Sequence, residues 1–182
     1  MEDSIPKLNI RITNDQFSEG ALQIVHTIRP EWRQQELHYK LFTNGITNRL
    51  IGVYKSKDKS DMILIRVYGD NTDLFIDRQK EYRNMLAMYN AGLSAPVYCL
   101  FLNGIGYGFS TGSALDYNDA VDPIVSKLVA ENLAKMHTIR PLKGERKSAP
   151  NWNKPQACLF TGIEKFLVLI SNVLPQLKIQ IG

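Results

Sequence analysis

Cysteine and histidine are scarce in this sequence. Of 182 residues two are cysteine, Cys99 and Cys158, and three are histidine. The two thiols stand in unlike contexts without the spacing of a metal site. Cys99 falls within the apolar run VYCLFL, where a reduced, buried thiol is expected. Long apolar runs are missing as well: the C-terminal stretch FLVLI is far short of the roughly 20 residues that a membrane helix requires. No dense block of Lys and Arg occurs, and aromatic residues are not interleaved with a basic stripe, so nucleic-acid binding is not expected. The start, MEDSIPKLNI, holds two acids and no apolar core, which does not read as a secretory signal. No internal repeat or low-complexity tract is visible. These absences point to a soluble, cytoplasmic chain without a membrane span.

What is present suits an ordinary globular domain. With 44% hydrophobic and 22% charged residues, the chain is long enough to bury a sizeable core in one domain or a little more. A formal net charge of +4 and an isoelectric point near 9.0 suit an anionic ligand such as a nucleotide.

Apolar spacing predicts a helix from about Ser18 to Ile28, ended by Arg29 and Pro30. Residues 36–43 and 47–55 read as strands flanking TNGITN, and KSKDKSD turns the chain into a third strand, Met62 to Tyr68. Asp77 caps a helix running to about Ala91, with Tyr82, Met85, Leu86 and Tyr89 as its apolar stripe and Gly92 as its stop. VYCLFL and IGYGFS flank Asn103 and Gly104, a strong hairpin signal. Asp122 and Pro123 then open a helix to about Met136. A polar linker is expected at 142–155 and a last helix from about Phe160 to Leu174. Asp116 and Asp119 have no partner at a useful spacing and read as solvated loop positions. His137, near a helix end, reads as structural or as a partner of the helix dipole.

Two features carry chemistry. Arg66 is a single cation within the oily strand MILIRVY, expensive to bury unless something negative meets it. Alternation puts it on one face with Met62, Leu64 and Tyr68. It is either an edge-strand arginine that snorkels to water or a clamp for phosphate. Glu81, on the following helix, is placed to meet it in the second case. TNGITN is likewise either a hairpin bend or a loop of small residues whose amides approach phosphates.

FTNGITNRLIGVY, ILIRVYGDNTDLFIDR, APVYCLFLNGIGYGF and LAKMHTI resemble, in that order, the N-terminal half of the ethanolamine kinases within the choline/ethanolamine kinase family. The likeness runs from about Gly20 to Ile139. It implies an α+β, protein-kinase-like N-terminal lobe, with a five-stranded antiparallel sheet plus helix, followed by the start of a helical C-terminal lobe. It also implies ATP-dependent phosphorylation of ethanolamine to phosphoethanolamine, a step of phosphatidylethanolamine synthesis. Carried onto this chain, Asn44, Gly45, Ile46, Thr47 and Asn48 form the nucleotide-phosphate loop. Arg66 replaces the usual kinase strand lysine, Glu81 holds it, and backbone near Gly108 and Ser110 meets the adenine edge. The implied division is 1–35, an N-terminal helical extension; 36–112, the nucleotide-binding lobe; and 113–182, an incomplete helical lobe.

The chain departs from the family at three places. Asn44 stands where Asp is usual, and Gly108 where an acidic or amide residue is usual. The third departure is larger: none of His26, His38 and His137 is followed by x-Asp, so the family's H-x-D-x-x-x-x-N loop, which supplies the base, is absent. The magnesium ligands are expected in the part not encoded, and Asp77 is a helix cap. The expectation is therefore an ethanolamine kinase truncated before its catalytic loop, inactive alone. The alternative is a non-catalytic nucleotide-binding or regulatory module that pairs with a full-length subunit. A C-terminal helix with an exposed apolar side leaves room for such association.

Overall fold

The computed structural model describes residues 5–43, 48–139 and 159–180, with side chains as far as 171. The expected linker at 142–155 lies outside the described residues, as do Asn44, Gly45, Ile46 and Thr47. The chain divides into two compact units, Met1–Pro141 and Leu142–Gly182.

The first unit is built on a six-stranded sheet. Its strands are β1 (Lys7–Leu8), β2 (His38–Phe42), β3 (Arg49–Tyr54), β4 (Ile63–Val67), β5 (Val97–Phe101) and β6 (Gly104–Gly108). They lie in the order β1-β5-β6-β4-β3-β2. β2 to β6 pair antiparallel, as the sequence pattern predicts. The sheet exceeds the expected five strands because the N-terminal segment adds β1, parallel to β5. Two residues show no alternation to read, and the attachment is made mostly by backbone. Leu100 donates to the Pro6 carbonyl at 2.9 Å and Leu102 to that of Ile10 at 3.0 Å. The Asn103 amide completes the seam, accepting from the Ile12 N–H at 3.0 Å and donating to the Ile12 carbonyl at 2.8 Å.

The main core cluster lies on one sheet face. Helix α1 (Phe17–Ile28) buries Ala21, Ile24 and Val25 in a cluster with Ile51, Val53, Ile63, Ile65, Val67 and Cys99. Fully burying each such Ile or Val is worth about 1.5–3 kcal/mol, which fixes the register of β3 and β4, since a one-residue slip would turn these side chains out. Helix α2 (Arg78–Asn90) has the predicted ends. The Asp77 carboxylate accepts from the Lys80 amide. At the other end Gly92 adopts φ 72°, and the Gly92 and Leu93 amides donate to the Tyr89 and Met88 carbonyls, both at 2.9 Å, a Schellman closure.

The β5–β6 hairpin differs from its sequence signal. Its turn residues are Leu102 and Asn103, while Gly104 already belongs to β6, and neither turn residue has positive φ. Gly104 is required instead by close approach: a Cβ there would overlap the Phe101 ring and the Arg66 carbonyl oxygen.

Asp116 and Asp119 are also corrected. They form a reciprocal capping box that starts α3 (Tyr117–Val121). A side chain of N3 bonding back to the N-cap amide is usually Glu or Gln, and Asp in that place hid the signal. Asp122 and Pro123 open α4 (Pro123–His137) as predicted. Among the described apolar side chains of α4, Ile124, Leu128, Val129, Leu133 and Met136 are exposed.

In the second unit α5 (Leu159–Gln180) runs past the predicted end and through Pro175. Proline removes one i→i−4 bond, which the flanking turns outlast here. Leu159, Phe160, Ile163, Leu167 and Ile170 of α5 are exposed. No helix among the described residues is long and apolar enough to cross a membrane.

Candidate nucleotide-phosphate site

Arg66 is the penultimate residue of β4, opposite Leu50 of β3 and Ile105 of β6, on the sheet face away from α1. It does not snorkel. Its guanidinium stands 5.6 Å and 5.8 Å from the ring centroids of Tyr68 and Tyr107, both cation–π distances. Its Nη2 donates to Glu81 Oε1 at 2.7 Å. Glu81 reaches it because Asp77 starts α2 one turn earlier, which aims the first turn of the helix at the strand. The pair is partly buried, with side-chain exposures of 20% and 25%. Glu81 thus offsets much of the cost of a cation on an apolar strand, while a fifth of the arginine still faces outward.

Arg78, Thr72 and Tyr68 complete the cluster and were not legible as site residues. Arg78 Nη1 donates to the second carboxylate oxygen, Glu81 Oε2, at 3.0 Å. Its Nη2 donates to the Thr72 hydroxyl, and its guanidinium lies over the Tyr68 ring at 3.8 Å. Thr72 is buried and donates its own hydroxyl proton to the Gly69 carbonyl at 2.7 Å. Asn71, with φ 60°, turns the chain so that Thr72 faces inward. The available signal was the spacing of Arg78 and Glu81, one helical turn apart.

Two guanidinium groups share one carboxylate, so the cluster keeps a net positive charge. Burial pushes the Tyr68 hydroxyl pKa upward, and the Glu81 charge pushes it the same way. Burial likewise raises Tyr107. Both phenols therefore stay neutral. The Nε–H groups of Arg66 and Arg78 and the Asn48 side-chain oxygen are buried without a partner, so the polar capacity of this corner is not filled by the described residues.

The stems of the 44–48 loop flank this cluster. Phe42 pairs with Leu50, and Leu50 with Arg66, in one cross-strand row. Asn48 adjoins β3, whose first residue, Arg49, stacks 4.9 Å over Phe17 of α1. At the other end of β4, Gly108 pairs with Ile63, three rows from Arg66, or about 10 Å at the usual strand rise. That is the scale of a nucleoside phosphate. The Gly108 amide donates to the Pro96 carbonyl at 2.8 Å and the Phe109 amide to that of Met62 at 3.1 Å. A Cβ at 108 would meet the Pro96 ring at 2.9 Å, which accounts for glycine at this position. Ser110 is exposed.

Two cavities flank these elements without including Arg66 or Glu81. One, of about 470 Å³, is lined by Lys7, Arg11, Asp70, Asp73 and Arg78 among others. The other, of about 550 Å³, is lined by Ser94, Pro96, Phe109, Ser110, Asn132 and Met136 among others. No group of three or more His, Cys, Asp or Glu side chains among the described residues is arranged to hold a metal.

The choline/ethanolamine kinase family profile matches residues 39–180. Ethanolamine kinase 1 of Homo sapiens is 37% identical over 153 residues, which cover 82% of this chain and 34% of that protein. Ethanolamine kinase 2 of Mus musculus is 31% identical over 169 residues, covering 93% of this chain and 42% of that one. Among solved structures, an ethanolamine kinase of Plasmodium vivax superposes with a TM-score of 0.67 at 28% identity, covering 88% of this chain and 45% of its own. A choline kinase of Cryptosporidium parvum superposes with a TM-score of 0.61 at 23% identity, over 79% and 40%, a likeness of fold alone. The chain spans less than half the length of each of these proteins. The architecture is α+β and protein-kinase-like, and the chain belongs to the choline/ethanolamine kinase family.

Proposed function

We propose that this chain is the nucleotide-binding half of an ethanolamine kinase, an enzyme that phosphorylates ethanolamine to phosphoethanolamine with ATP in the cytoplasm, for phosphatidylethanolamine synthesis. The observation that carries the reading is the Arg66–Glu81 pair at 2.7 Å, set beside the stems of a small-residue loop. In this reading Arg66 meets the phosphates with its planar fork of donors, Glu81 holds it, and the backbone of Asn44, Gly45, Ile46, Thr47 and Asn48 lies along the phosphates. The adenine edge meets backbone near Gly108 and Ser110. With the Gly108 and Phe109 amides already engaged, Ser110 is the candidate amide donor there. The positive cluster and the unpartnered Arg66 Nε fit an anionic ligand. Residues 36–112 carry the nucleotide half, 1–35 extend it, and 113–182 begin the helical lobe.

Among the described residues no three His, Cys, Asp or Glu side chains are grouped to hold a metal ion. No histidine in the 182 residues begins a His-x-Asp motif, so the chain lacks the family's base. An exposed apolar face on α4 favours a second reading, a nucleotide-binding module that pairs with a full-length subunit. The test is a titration of the purified 182-residue chain with ATP, alongside an assay of ethanolamine phosphorylation. Binding without turnover is expected. Loss of the base alone removes the roughly 10²- to 10⁴-fold that acid–base groups typically supply. Failure to bind ATP overturns the nucleotide reading, and turnover at an ordinary kinase rate overturns the assignment of the base to the absent motif.

A further inference from the structure

We propose that Arg78 is a positioning residue that fixes the Glu81 carboxylate so that Glu81 in turn fixes Arg66. As a statement about ATP binding it rests on the function proposed above, and as a statement about Arg66 it does not.

A carboxylate held through one oxygen still rotates about its last torsion, which is broad and two-fold. Glu81 is held through both: Oε1 accepts from Arg66 at 2.7 Å and Oε2 from Arg78 at 3.0 Å. Arg78 is itself immobilised. The Tyr68 ring lies 3.8 Å beneath its guanidinium, and Thr72, anchored to the Gly69 carbonyl at 2.7 Å, takes its other terminal nitrogen. The chain from Arg66 to Glu81 thereby closes on itself. Strand residue 66 and helix residue 81 are joined directly, and the connection between them, at Tyr68, Gly69 and Thr72, supports the side chain that orients the joint.

An ordinary surface ion pair one helical turn apart is a simpler account, and burial argues against it. Arg78 has a side-chain exposure of 17%, less than either Arg66 or Glu81, and surface pairs of that kind do not hold a buried threonine. Charge points the same way. One carboxylate shared by two guanidinium groups leaves a positive charge for an anion to cancel, so Arg78 orients Arg66 without taking the charge that binding uses.

The test is guanidinium nitrogen NMR on the 182-residue chain, following the Arg66 Nη signals, together with ATP affinity. In the parent, Arg66 should show slowed rotation about its Cζ–Nε bond. Arg78→Met should restore averaging at Arg66 and weaken ATP binding by about three- to tenfold, and Arg78→Lys, which keeps a charge but not the fork, should fall between. In a Glu81→Ala background Arg78→Met should add nothing, as a shared pathway requires. If Arg78→Met does not fold, Arg78→Lys and Thr72→Val carry the same comparison. Unchanged Arg66 signals, or an equal loss of affinity with and without Glu81, overturn the proposal. If Arg78→Met frees Arg66 while Arg66→Met leaves ATP binding intact, the nucleotide reading fails and the positioning role stands.

Discussion

At the residue scale, burial decides which groups are chemically quiet. Burial pushes the Cys99 thiol up to about 11 from 9.0, so at pH 8 its thiolate fraction is about a hundredfold below that of an unperturbed thiol. Peptide-resolved alkylation should therefore label Cys99 at least that much more slowly in the folded chain than in urea. Equal rates would mean that β5 is not packed as described. Tyr68 and Tyr107 give a pH dependence of known sign. Their pKa values are raised in the folded state, so the stability they contribute is present below the unfolded value near 10 and is lost as pH rises through the folded values. Urea midpoints should fall above about pH 10, and Tyr68→Phe should flatten part of that fall. Arg66 and Glu81 were legible because a cation on an apolar strand demands a partner. Arg78 and Thr72 were not, because a polar residue beside a helix N-terminus normally faces water, and only the Tyr68 ring and the Asn71 turn bring these two inward.

At the element scale, boundaries set by local chemistry were legible and those set by distant backbone were not. Asp77, Gly92, Asp122 and Pro123 mark the ends of α2 and the start of α4, each through a contact within a few residues. β1 and the segment that follows it to Ile12 have no such mark, since their partners lie about ninety positions away on β5 and at Asn103. Gly104 belongs to the second kind. Its neighbours are an aromatic ring and a carbonyl of another strand, and the carbonyl cannot move without breaking the ladder. Gly104→Ala should destabilise the chain by about 1–3 kcal/mol, read as a lower urea midpoint with unchanged slope. A neutral effect would mean that the hairpin takes the primed turn its Asn-Gly sequence suggested.

Across the whole molecule, the first unit buries its main cluster on one sheet face and a smaller layer with Met62, Leu64 and Ile105 on the other, while α4 shows an apolar row to solvent. Val129, Leu133 and Met136, spaced i, i+4 and i+7 on one side of the helix, are 39%, 47% and 38% exposed, more than single scattered apolar residues explain. The chain should therefore bind a hydrophobic dye and self-associate as concentration rises. Monodisperse monomer at high concentration without dye binding would show that this face is covered. In the proposed function the Arg66–Glu81 pair holds nucleotide phosphate, and calorimetric titration with ATP of the parent, Arg66→Met and Glu81→Gln decides whether it does. Removing a charge-assisted contact of about 1.5–3 kcal/mol should raise the Kd of Arg66→Met about ten- to a hundredfold, with Glu81→Gln affected less. Arg66→Met binding ATP like the parent would leave the pair a purely structural ion pair.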